Sequence, residues 1–217
     1  MGSRDWYRRT TWSETDQAEF FARLNRSRSA FHKAQYLRIQ ALHLQEAGTP
    51  ELIRAALTLL DKVENDYPDS FDQASVYLQK ATCRLALGNK TGAVDYFRKA
   101  LQWQKVHTFV QTTASLAFAW MIVEHGLADL YDEALSVLDD YVESGHPVFA
   151  YQWYMLSAVR AVIAEERGYR DRARELARAA LGFAALKQSG FRYHPKVGLV
   201  QITDSPVHAR LVQIIGN

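Results

Sequence analysis

Four alanine–glycine pairs, each seven residues apart, constrain this chain more than any other feature. Ala41, Ala81, Ala119 and Ala161 are followed by Gly48, Gly88, Gly126 and Gly168. A second alanine comes after each glycine, at Ala56, Ala93, Ala134 and Ala173. Four residues beyond those stand Leu60, Phe97, Leu138 and Ala177. Apolar residues between these markers keep a helical period, so the pattern reads as a repeated pair of helices. The first alanine lets a neighbouring helix approach closely. The glycine accepts the left-handed conformation in which a helix ends and the chain reverses. No pair covers its own apolar face, so a stack of pairs is the stable unit.

The interval from glycine to second alanine is eight residues at Gly48 and Gly126 but five at Gly88 and Gly168. Long and short turns are therefore expected to alternate, as in two copies of a two-hairpin unit. Helix punctuation agrees with the phase. Thr49 caps a helix with Pro50 in its first turn, and Ser70 with Gln73 has capping-box spacing. Thr11 with Glu14 starts a shorter helix holding Phe20, Phe21 and Leu24, and Pro147 begins one that runs towards Gly168. Asp204 or Ser205 before Pro206 caps a last helix near His208 to Ile215. About nine helices are expected before the tail.

The segment ATCRLALGNKTGAVDYFRKAL, Ala81 to Leu101, resembles a tetratricopeptide repeat, with Ala81, Gly88, Ala93, Phe97 and Ala100 at that family's spacing. AVIAEERGYRDRARELARAAL, Ala161 to Leu181, matches at Ala161, Gly168, Ala173 and Ala180, with Ala177 in place of the large residue. The repeat at Gly48 keeps a terminal proline, Pro68, whereas Tyr141 departs from the small residue. With its DWYRRTTW start and SGFRYHPKVGLV finish, the whole chain resembles a group of small uncharacterised bacterial repeat proteins, which implies no activity. The resemblance implies an all-α, right-handed superhelical stack of four hairpins in one domain. Residues 1–34 form an N-terminal segment and helix, 35–187 the repeats, and 188–217 a non-repeat extension that closes the scaffold.

Composition fits a globular chain, 48% apolar and 23% charged. The N-terminus lacks the apolar core of a secretory signal and no apolar run approaches a membrane span, so a cytoplasmic location with no membrane partner is expected. The sequons at Asn25 and Asn89 then carry little meaning. The lone Cys83 excludes an intramolecular disulfide and reads as a buried inert thiol. GNKTG, Gly88 to Gly92, ends like a phosphate loop but lacks the glycine-rich run and strand before it. The seven histidines, at 32, 43, 107, 125, 146, 194 and 208, show no metal-ligand spacing. Paired carboxylates at Asp139/Asp140 and Glu165/Glu166 point to different helical sides. Asp204, Ser205 and His208 hold the ingredients of a nucleophile system but read as a helix cap. No enzyme signature, cofactor motif or metal set is expected.

The first helices of such a stack line a concave groove. Phase places Gln35, Arg38, Leu42, Leu78, Thr82, Leu116, Trp120, Ala158 and Val162 inward. Within the family, some members clamp a peptide carboxylate with polar groove residues; here Leu42 and Leu78 stand where such partners belong. An apolar groove invites a cover. A protein or peptide partner at Arg38, Leu42, Leu78, Leu116 and Trp120 is the first functional reading, with the aromatic-basic ends as a rim. The alternative is RNA or single-stranded DNA, stacked and neutralised by Arg8, Arg9, Arg192, Tyr193, His194 and Lys196. Charge is uneven along the chain: residues 1–38 carry +4, 39–72 carry −5 and 160–196 carry +5. Such asymmetry can steer an anionic partner or join two copies head to tail.

Overall fold

A computed structural model describes residues 5–145, 147–201 and 203–216. His146 and the basic Arg4 lie outside them. The chain is all-α: the described residues form ten α-helices and no strand. It divides into two compact units, Met1–Ala114 and Ser115–Asn217. The division falls between the second and third repeats, where the alternation of long and short intervals starts over.

The first unit holds α1 (Glu14–Arg26), α2 (Ala30–Ala47), α3 (Pro50–Asp66), α4 (Gln73–Ala86) and α5 (Lys90–Val106). Helix α2 packs on α3, α4 on α5, and α3 on α4. The second unit holds α6 (Ala114–Glu124), a 3-10 turn (Ala128–Leu130), α7 (Tyr131–Glu143), α8 (Ala150–Glu166), α9 (Arg170–Ala184) and α10 (Pro206–Gly216). There α8 packs on α9, and α10 lies against both. Every marker alanine and its large partner is buried, Ala41, Ala81, Ala119 and Ala161 completely. Gly48, Gly88, Gly126 and Gly168 all have positive φ, between 62° and 82°. The repeat spacing thus fixes where the helices stop and which faces they bury.

Four local expectations need correction. The long interval at Gly48 is not a long turn: Thr49 accepts from the Leu52 N–H and Pro50 pre-sets φ, so α3 starts at once and gains nearly a turn. At Gly126 the extra residues form the 3-10 turn. Helix α1 is capped by Ser13, not Thr11, in a capping box with Asp16, while the Thr11 hydroxyl donates to the same carboxylate. Helix α4 begins at Gln73 behind Asp72 without a side-chain cap, because the Ser70 hydroxyl is spent accepting from the Asp72 N–H. Likewise α8 starts at Ala150, two residues past Val148, and Pro147 lies outside it.

The N-terminal segment belongs to the first unit's core. Trp6, Tyr7 and Trp12 pack with Phe20, Phe21 and Tyr36, with ring centroids between 4.7 and 6.3 Å apart. The fully buried Gln40 clamps the backbone of Arg9, its amide accepting at 3.0 Å and donating at 2.7 Å. The Arg9 guanidinium bonds Asp16 and Glu19. A second polar centre lies between α3, α4 and α5. Lys80, with a side chain 2% exposed, pairs with Asp61 at 2.5 Å and with Glu64, which also accepts from Lys99 at 2.9 Å. Its ammonium sits 4.4 Å from the centroid of the Tyr96 ring.

Candidate functional site: a cleft of the second unit

The C-terminal extension makes this site. After α9 the chain turns through a closed loop, in which the Ser189 N–H donates to the Pro195 carbonyl and the Ser189 hydroxyl to that of His194, both at 2.7 Å. It then runs back to the start of α8. There the Tyr151 N–H, left without an intrahelical partner at a helix beginning, donates to the Gly198 carbonyl at 2.9 Å. Gly198 is required at this contact: its φ is 70°, and a Cβ there would lie 2.7 Å from the Cβ of Phe149. The Gln152 side chain accepts from the Val148 and Phe149 N–H groups at 2.7 and 2.9 Å. Leu199 is buried behind the turn.

The returning segment does not fill the space beside α6 and α8. It walls a cleft of about 570 Å³, lined by Trp120 and Glu124 of α6, Tyr151, Tyr154 and Met155 of α8, and Gly198–Gln201 with Ser205 of the extension. That size lies within the range of small-molecule and side-chain pockets. Trp120 and Tyr154 are in ring contact at 5.8 Å. Burial pushes the Tyr154 phenol up, against an opposing hydrogen bond from Ser205. It therefore stays protonated near neutrality, with its oxygen 3.1 Å from His208 Nδ1. Ser205 caps α10 by accepting from the His208 N–H at 3.1 Å. The His208 ring is thus turned to Tyr154, and Ser205 serves the helix end.

Of the residues expected from sequence, Arg38, Leu42 and Leu78 lie in the first unit and are half-buried. Arg38 is already partnered, its Nε 3.5 Å from Asp72 Oδ2. In the second unit Leu116 is buried at 1% exposure, with Ala158 and Val162, so these are packing residues that present no surface. Trp120 alone of the groove set lines the cleft. Arg192, Tyr193, His194 and Lys196 are exposed on the closed loop, outside the cleft lining, with the Arg192 guanidinium 5.4 Å from the Tyr193 centroid. Tyr151, Tyr154, Met155, Leu199 and Val200 were not singled out from sequence as site residues. Gly198, set between Val197 and Leu199, is the signal that could have found them, since a glycine among apolar residues marks a close backbone approach.

Among the described residues no group of histidine, cysteine or carboxylate side chains could hold a metal ion, and no helix is long and apolar enough to cross a membrane. Compared with known proteins, the chain matches no family model, no curated protein and no solved structure.

Proposed function

We propose that this chain is a peptide-binding scaffold of tetratricopeptide-like hairpins, stacked in a right-handed superhelix, with its binding site in the cleft of the second unit. One observation carries this reading. A cleft lined mainly by aromatic and aliphatic side chains stands open beside Trp120, although the extension that borders it has apolar residues available to close it. An apolar surface kept open in this way is most simply explained by a ligand that covers it. Selection from a random-peptide library on the full chain tests the proposal. Peptides lost on Trp120→Ala and on Met155→Lys, and retained on Arg192→Ala with Lys196→Ala, support it. Peptides indifferent to both cleft variants refute it.

A second reading rests on the exposed loop. Tyr193 is 78% exposed beside an arginine, a lysine and a histidine, an arrangement able to stack a base and meet phosphate. Arg9 contributes nothing to it, because its guanidinium is bound to Asp16 and Glu19. Single-stranded RNA retained at low salt, released steeply with added salt and lost on Tyr193→Ala would favour this reading over the cleft.

A further inference from the structure

The cleft carries charge of one sign, and this restricts its occupant. Glu124 is the last residue of α6. A carboxylate there faces the negative end of its own helix, the opposite of the stabilising arrangement. Among the described residues it has neither an ion pair nor a hydrogen bond from a side chain to offset that placement. It stands at the lining of the same cleft as three electron-rich rings, Trp120, Tyr151 and Tyr154, and no lysine or arginine joins them. Two helix starts border the cleft, and N–H groups at both are engaged: those of Val148, Phe149 and Tyr151 at α8 by the Gln152 side chain and the Gly198 carbonyl, and that of His208 at α10 by the Ser205 hydroxyl. An anion would find no donor from these groups and would be repelled by Glu124. A cation would gain the ring faces and the carboxylate together.

Resting on the peptide-binding reading, we infer that the cleft takes the cationic side chain of a basic residue of the bound peptide. The apolar stem lies against Met155 and Val200, and the charged head sits among the rings beside Glu124. The volume exceeds what the head alone needs, so the stem and its apolar neighbours occupy the remainder.

The test uses the full chain labelled with 5-fluorotryptophan, the Trp120 fluorine resonance being assigned through Trp120→Phe. Two probes are titrated, N-acetyl-lysine methylamide and its uncharged counterpart N-acetyl-norleucine methylamide. The inference expects both to shift the Trp120 signal, with the lysine probe about five-fold tighter. Glu124→Gln should reduce that preference to the part the rings supply, while leaving the norleucine probe unchanged. Equal affinities, or a preference undiminished in Glu124→Gln, overturn the cationic anchor and leave the apolar cleft standing as a peptide site. If neither probe moves the Trp120 signal at millimolar concentration, both the anchor and the cleft reading fall.

Discussion

Lys80 offers the sharpest test of how the first unit is held together. Lys80→Met keeps the apolar stem and deletes a charge that is almost entirely out of water. Removing one member of a buried ion pair costs about 3–5 kcal/mol, chiefly because the other member is left desolvated. Here the orphaned partners are partly protected. Asp61 is 51% exposed, and Glu64, though 19% exposed, keeps Lys99 at 2.9 Å. The loss should therefore fall near the lower end, about 3 kcal/mol. In urea, followed by far-ultraviolet circular dichroism, that moves the midpoint of the first unit's transition down by about 1–2 M. Glu64→Gln in the Lys80→Met background should cost less than it does alone, by about 1 kcal/mol or more, since it removes a carboxylate that has already lost its partner. A Lys80→Met midpoint within error of the parent, or strict additivity of the two changes, would refute the reasoning.

The same centre sets a pH dependence. Burial pushes the Glu64 carboxyl up, but the hydrogen bonds from Lys80 and Lys99 outweigh it and hold it below its usual range. Its contribution is complete above the unfolded-state value, about 4.3, and is lost as pH falls through the lower folded value. Burial alone would lower the Lys80 ammonium, yet its bonds to Asp61, Glu64 and Tyr96 leave it raised. That contribution is complete below the ordinary lysine value and is lost only as pH rises through the folded one. Acid titration of the urea midpoint should therefore be shallower in Glu64→Gln, with no difference in slope around neutrality.

Three further outcomes are expected. Gly198→Ala should cost about 2 kcal/mol or more, while Gly88→Ala, at φ 79° but facing open space, costs about 1; equal losses would show that Phe149 does not press on Gly198. Cys83, whose thiol burial pushes up to about 12, should resist a disulfide reagent in the native chain and react at once in denaturant, so rapid native labelling would contradict its burial. The Asp16 carboxyl is lowered to about 2, first by the Ser13 N–H, against burial, and then by the Ser13 and Thr11 hydroxyls and Arg9. Asp16→Asn should accordingly cost about 1 kcal/mol near neutrality, and its effect should vanish as pH falls through about 2.

Much of the architecture was legible because it is local and repeated. The alanine and glycine markers report helix contacts and helix ends within a few residues of themselves, and Thr49 with Pro50 announces a start that the backbone obeys. Where two starts had the same spacing the sequence could not choose. Thr11 with Glu14 and Ser13 with Asp16 are both serine- or threonine-to-acid pairs three residues apart, and only the folded backbone selects Ser13. Nothing local to Lys80 marks it for burial; α3 and α5 bring Asp61, Glu64 and Tyr96 to it. The cleft was the least legible feature, because its walls join α6 and α8 to a non-repeat extended segment through a hydrogen bond between residues 151 and 198. No period marks such a contact. Trp120 was named from helical phase, whereas Leu116, given by the same phase, is turned into packing.

Hydrogen exchange on the full chain, with and without a peptide selected on it, tests the central claim most directly. Amides of α8 near Tyr151–Met155 and of the extension around Leu199–Gln201 should slow on binding, with those of the first unit unchanged. Protection confined to α2 and α4, around Arg38, Leu42 and Leu78, with the second unit unaffected, would contradict a binding site in the cleft.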